Sequence, residues 1–451
     1  MTALNKKMVL IANPELVNEV MKSGERRVVL EPARYYKLQK NLVMTPIETY
    51  YNENWQDVRQ LFNVAMKPEN LEQILFPQLS ELNSDFLQIF LRNATAIGED
   101  KYSVADIMQV SNNFAFNSVV KAFVGVKMTP EYEKQFGFTI EQFIADSVRA
   151  VDLILKLNNF PIPIYKYYKI KDYKEFERLM DETIIRSDKI VNSLQHLAPK
   201  DKPRLLEMIH ERAQGMPRSE EMVGLVLNSF LAAAVDITSR TISILMYRLA
   251  HEPEYQEKLF EECVKIFGEP TVDELTSSTG GLNVTYQQYK QATLVRHFIE
   301  ESMRLNHVTD ISSMRIIDKD TVIGGYTLPA DTGVLIVQNQ EFFNRWVPKH
   351  LEFIPERYEK GNESCPSNKN VSLVFGKGAR KCPGERVAST ELFLSVVNTV
   401  RSFKVSKTVK EFPPFEASQS ILYIDTKKYP LLIEPREHLK EAAKLYQGKL
   451  L

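Results

Sequence analysis

Residues 220–250 run without proline, and without glycine after Gly224. Glu220 and Glu221 open the stretch with the acids that a helix macrodipole favours at its start. One helix over these residues is roughly 45 Å long at 1.5 Å per residue, the width of a whole domain. It is apolar on most sides, yet it carries Asn228, Ser229, Asp236, Thr238 and Ser239. Such a helix is expected at the centre of a fold, with a polar notch, and the remaining elements must wrap around it.

The rest of the sequence reads as mainly α with small β-sheets. Helical spacing dominates 12–21 and 54–150, as in Leu71, Ile74 and Leu75 or Phe86, Ile89 and Phe90. Pro161 and Pro163 interrupt it with a stiff apolar loop over 160–165, suited to buried packing or to a membrane-dipping lip. A second helix ends near Arg304. Beyond it, 321–323, 334–337 and 429–433, punctuated by Gly325, Pro329 and Gly333, read as short strands.

A chain of 451 residues exceeds the ~250–300 at which single cores stop growing. No repeat or linker divides it, which leaves two domains or one unit organised by the long helix and a large cofactor. The 57 lysines and arginines balance 58 acids, which excludes a disordered tail and a basic nucleic-acid binder. Cys263, Cys365 and Cys382 are too few for a disulfide framework and favour a reducing compartment. No run of about 20 apolar residues and no signal-type block is found, so neither a membrane span nor a targeting segment is expected.

The most informative stretch is Phe375-Gly376-Lys377-Gly378-Ala379-Arg380-Lys381-Cys382-Pro383-Gly384-Glu385-Arg386, followed by a helical pattern. Backbone N–H groups, the positive helix end, Arg380 and Lys381 all favour a thiolate there, which predicts a lowered thiol pKa. A thiolate can ligate metal. Gly376 and Gly378 let the backbone turn tightly and aim amides at sulfur, and Gly384 leaves room for a flat macrocycle. The competing readings are a buried structural cysteine and dinucleotide binding, whose third glycine is absent.

This loop resembles the F-x-x-G-x-R-x-C-x-G ligand signature of the cytochrome P-450 family. Glu301-Ser302-Met303-Arg304 resembles its E-x-x-R, and Phe353-Ile354-Pro355-Glu356-Arg357-Tyr358 its P-E-R-F segment. The resemblance implies haem b bound between the long helix and the loop, with Cys382 as the axial iron ligand and Phe375 and Gly384 beside the haem. It implies a structural triad of Glu301, Arg304 and Arg357. Trp55 and Arg59 resemble the W-x-x-x-R pair that reaches one propionate, and Arg315 and Arg380 match the other propionate-binding arginines.

Residues 232–239, Ala-Ala-Ala-Val-Asp-Ile-Thr-Ser, resemble the family's A-G-x-D-T-T oxygen-binding segment. There an acid followed by an alcohol relays protons to bound oxygen. Here Asp236 is followed by Ile237, and Thr238 stands one position on, about 100° around the helix. The catalytic assignment is therefore Asp236 with Thr238 or a water. Val235, Ile237 and 307–311 are expected to shape the substrate pocket.

Residues 55–68 and the pattern Val235-Asp236 with Ser239-Arg240-Thr241 resemble the mitochondrial branch of the family. That implies O2, electrons from a small acidic ferredoxin, a small apolar substrate of sterol or steroid type, and the matrix side of the inner mitochondrial membrane. Peripheral membrane contact is allowed, and nucleic acid has no role. Lys377, Lys381 and Arg386 supply basic charge for the ferredoxin. Arg296 and Glu300 stand where the branch carries lysines, Glu385 where arginine is frequent, and Asn306-His307 where Tyr-Pro is usual.

The resemblance implies one domain over 1–451. Residues 8–26 look like the second strand and its following helix, so the first strand and helix of the family are expected to be missing and one sheet to lack an edge partner. Residues 436–451 read as an extra tail whose Leu439, Ala442, Ala443 and Tyr446 suggest an amphipathic helix. Two alternatives follow from the departures. The lost hydroxyl at Ile237 suits a haem-thiolate isomerase or dehydratase that needs no reductase, and the missing N-terminal elements suit a degenerate haem-binding protein.

Overall fold

The computed structural model describes residues 2–3, 6–22, 30–44, 55–160, 162–168, 170–199, 202–276, 281–309, 315–337, 344–366, 371, 373–418 and 421–448. Its axis is the long helix, Ser219–His251, with Glu220 and Glu221 in its first turn and Arg248 and His251 in its last. Three helices, Asn83–Arg92, Ile107–Val124 and Glu385–Ser402, gather with it into a bundle whose facing residues are almost wholly buried. The largest hydrophobic cluster draws on residues from Met44 to Ala443. Burial of this apolar surface supplies the main stabilising term.

Several polar groups inside the bundle pair with one another. Asn398 Nδ2 donates to Asn83 Oδ1 at 2.7 Å, Asn83 Nδ2 to the Leu282 carbonyl at 2.6 Å, and the hydroxyls of Ser111 and Ser243 lie 3.2 Å apart.

Helices Ile140–Asn158 and Lys171–Leu194 pack against each other. The loop between them buries Tyr165 but leaves Ile162, Tyr167 and Tyr168 exposed. Pro161 lies outside the described residues.

In one sheet β1 (Thr2–Ala3) pairs antiparallel with β2 (Lys6–Ile11), so the expected bare edge is met over two residues. A second sheet contains β3 (Ala94–Gly98) and β4 (Lys101–Val104). β5 (Arg315–Ile316), β6 (Thr321–Ile323), β7 (Tyr326–Leu328) and β8 (Gly333–Ile336) follow the Thr293–Leu305 helix. β8 joins β2 in parallel and β5 antiparallel, while β6 and β7 form a hairpin. β9 (Phe403–Lys407), β10 (Glu416–Ser418), β11 (Ile421–Tyr423) and β12 (Leu431–Pro435) complete the set, β12 lying between β4 and β9.

The tail forms a helix, Lys440–Gly448, that buries Ala442 and Ala443 beside Leu439; the Tyr446 side chain lies outside the described residues.

Candidate active site

The ligand loop owes its shape to two glycines in the left-handed region, Gly376 at φ 71° and Gly378 at φ 76°. The Gly376 N–H donates to the Leu373 carbonyl and the Cys382 N–H to the Phe375 carbonyl, both at 2.7 Å. Gly384 then caps the helix Glu385–Ser402. A Cβ on Gly384 would stand 3.9 Å from Cys382 Sγ and 3.9 Å from the Phe230 ring, so the loop and the long helix meet there.

Cys382 is accessible on one side and walled by protein on the others, as expected of a group lining a cleft. Its thiol pKa is raised, against the lowering expected from the neighbouring cations. Burial is the largest cause and Glu385 adds to it, outweighing the Gly384 N–H, Arg59 and Lys381. A cation count alone neglects that desolvation.

Arg59, on the helix Trp55–Ala65, sends Nη1 to the Lys381 carbonyl at 2.7 Å. The Trp55 side chain lies outside the described residues. Arg315, buried on β5, donates to the Lys377 carbonyl at 3.4 Å, and Arg380 is buried within the loop. Arg59 meets no carboxylate among the described residues, although it is half-buried. An accessible thiol with Arg59 beside it, on a loop that also carries Arg380 and is contacted by Arg315, fits an iron porphyrin, whose propionates would pair with guanidiniums.

Glu301 accepts from Arg304 Nε and Nη2 at 2.7 Å each, from Arg357 Nε at 3.2 Å and from the Ile354 N–H at 3.0 Å. Arg304 also reaches the His350 carbonyl at 2.8 Å, and Arg357 the Lys349 carbonyl at 2.6 Å. All three side chains are buried. The triad staples the helix Thr293–Leu305 to the segment that leads into the ligand loop.

In the middle of the long helix Ala233 is exposed, and Ala232, Ala234, Asp236, Ile237 and Arg240 are partly exposed. Ala233, Asp236, Ile237 and Arg240, spaced by three, four and seven residues, share one face. Arg240 Nε bonds Asp236 Oδ1 at 2.7 Å, and its guanidinium lies 4.9 Å over the Tyr423 ring. Val235 is buried.

Thr238 is also buried, beside Glu391 and Ser118. Neither Glu391 oxygen has a well-formed hydrogen bond, and burial holds its pKa well above the carboxyl range against the pull of the Ser118 and Thr238 hydroxyls. Ile237 thus lies on the partly exposed face and Thr238 faces a buried acid. Arg240 stands four residues after Asp236, a helical spacing that could have singled it out; Glu391 and Tyr423 offered no local signal.

His307 is buried and neutral, its pKa pushed down to about 4 by burial and by Arg304, and its Nε2 has no partner. The Leu422 N–H donates to the Val308 carbonyl at 2.7 Å, and Thr309 bridges Ile421. Residues 310 and 311 lie outside the described residues.

Against the loop is a cavity of about 370 Å³ lined by Arg296, Glu300, Phe375, Lys381 and Glu385 among others. Lys381 pairs with Glu385 at 2.6 Å, and Lys377 donates to Asn18 Oδ1 at 2.9 Å.

The sequence profile described as Cytochrome P450 matches residues 1–433. The chain belongs to the cytochrome P450 family. It is a family of haem-thiolate monooxygenases, so the fold and the thiol loop of this P450 have their explanation. Similar proteins include "Probable cytochrome P450 12b2, mitochondrial" of Drosophila melanogaster, 27% identical over 84% of this chain and 70% of the relative. "Probable cytochrome P450 12a5, mitochondrial" of the same fly is 28% identical over 78% of this chain and 66% of its own length. The rat protein "1,25-dihydroxyvitamin D(3) 24-hydroxylase, mitochondrial" is 23% identical over 95% of this chain and 79% of its length.

Proposed function

We propose that this P450 acts as a single unit that holds haem b through Cys382 and hydroxylates an apolar substrate of sterol or steroid type. The observation that carries the reading is the accessible Cys382 thiol on a glycine-shaped loop, braced at its carbonyls by Arg59 and Arg315. Haem bound through a thiolate supplies oxygen activation and insertion of one oxygen atom into a C–H bond.

The chain's own groups do the rest. Arg59 and Trp55, with Arg315 and Arg380, hold the propionates, while Phe375 and Gly384 border the macrocycle. Ala232, Ala233 and Ala234 leave room above it. Asp236 carries protons on the accessible face, and Thr238 holds one between its hydroxyl and the Glu391 carboxyl. Glu301, Arg304 and Arg357 keep the loop in place. Electrons come from a ferredoxin at the face bearing Lys377, Lys381 and Arg386. The protein works at the matrix side of the inner mitochondrial membrane, touching it through Ile162, Tyr167 and Tyr168; support comes from the relatives named mitochondrial.

The placement of Ile237 on the cleft face, with Thr238 turned away, favours a second reading: an isomerase or dehydratase acting on a pre-oxidised lipid without a reductase. One assay separates the two. Oxygenated steroid formed with O2 and a ferredoxin system supports hydroxylation. Turnover of a lipid hydroperoxide, with none from O2 and electrons, supports isomerisation.

A further inference from the structure

We propose that Arg240 is a specificity-determining residue that donates hydrogen bonds to a neutral oxygen of the substrate. The inference rests on the cleft being the substrate site of a haem enzyme and adds a substrate class to it.

A guanidinium has five N–H donors. Among the described residues Arg240 uses one, from Nε to Asp236 Oδ1 at 2.7 Å. Its flat face is spent on the Tyr423 ring at 4.9 Å, which leaves the edge and its terminal nitrogens available. The side chain retains only 11% of its accessible surface, so few waters can serve those donors. Arg240 lies on the same helix face as Ala233 and Ile237.

Charge decides the kind of acceptor. Asp236 already offsets the guanidinium, and a substrate carboxylate would stand beside that acid. A carbonyl or hydroxyl oxygen takes the free donors without this repulsion. Its position follows from helix geometry: Arg240 lies seven residues, roughly 10 Å, beyond Ala233. The ligand is an apolar body lying along Ala233 and Ile237 with an oxygen at the Arg240 end. Tyr423, on β11, is a positioning residue that fixes the plane of the guanidinium, and its hydroxyl is held by Glu416 at 3.1 Å.

Calorimetric titration of the haem-loaded protein tests this with three probes: dodecan-2-one, the shape-matched 2-methyldodec-1-ene, and dodecanoate. In the wild type the ketone binds about tenfold to a hundredfold more tightly than the alkene, the range of a charge-assisted hydrogen bond, and more tightly than the carboxylate. Arg240→Met brings ketone and alkene within about twofold while leaving alkene affinity unchanged. The double variant D236N/R240M, which leaves no lone carboxylate, gives the same collapse. Tyr423→Leu lowers the ketone preference part-way. A ketone preference that persists in both Arg240 variants, or tighter binding of dodecanoate, overturns the proposal. Absence of the thiolate-type carbon monoxide band in the same wild-type sample would instead overturn the haem-enzyme reading beneath it.

Discussion

Arg59 donates from Nη1 to the carbonyl of Lys381 at 2.7 Å, one residue before the ligand cysteine. The bond ties the helix Trp55–Ala65 to the thiol loop and sets a cation beside the sulfur. With Arg315 on the Lys377 carbonyl, it braces the loop at two points from two elements distant in sequence. The same cations that shape the loop are those expected to meet the propionates.

Arg59→Met removes both the brace and the charge. Haem release from the variant, followed by transfer to an acceptor globin, is predicted to be at least tenfold faster than from the wild type, with Arg59→Lys intermediate. Equal rates would show that Arg59 serves the loop alone.

The buried triad should respond strongly to loss of charge on one side. Glu301→Gln leaves Arg304 and Arg357 partly unmatched in the interior and is predicted to cost about 3–5 kcal/mol in urea unfolding. A cost below about 1 kcal/mol would mean that the backbone carbonyls around the two arginines suffice.

His307 predicts a pH dependence of stability. Its folded pKa of about 4 lies below the ordinary 6.5, so the unfolded chain binds more protons between these values. The stability it contributes is complete above pH 6.5 and is lost as pH falls towards 4, roughly 3 kcal/mol in all. His307→Phe should flatten the denaturation midpoint over that window. An unchanged acid limb would assign the loss to other groups.

Glu391 predicts the opposite slope. Its folded pKa is raised, so the folded protein keeps a proton that the unfolded chain releases above about pH 4.5. Stability from this site falls as pH rises past that value. Glu391→Gln should therefore be stabilised relative to wild type more at pH 8 than at pH 5, by thermal denaturation. A gain independent of pH would show that the carboxyl is ionised in place.

Ile237→Thr puts a hydroxyl on the cleft face beside Asp236. The ratio of oxygenated product to peroxide per electron is predicted to rise. An unchanged ratio would show that position 237 does not limit proton delivery.

Local features were legible in the sequence. The uninterrupted apolar run marks the long helix, whose observed ends, Ser219 and His251, extend the expected span by one residue each. The glycines at 376 and 378 announced a turn that needs positive φ, and three-residue spacing placed Glu301 and Arg304 together. What depends on distant packing was hidden. Thr238 could be counted on the helix but not assigned a face until the bundle showed which side is open. Glu391 reads as one more polar position after the loop and becomes a buried acid because the bundle closes over it, with Ser118 and Thr238 beside it. The Cys382 pKa went the other way because desolvation by the folded chain exceeds the charges visible along the sequence.

The most direct test of the account is the carbon monoxide difference spectrum of the reduced protein beside that of Cys382→Ser. Thiolate ligation predicts a strongly red-shifted band in the wild type and none in the variant, at comparable protein folding. A variant that retains haem with the same red-shifted band would contradict it.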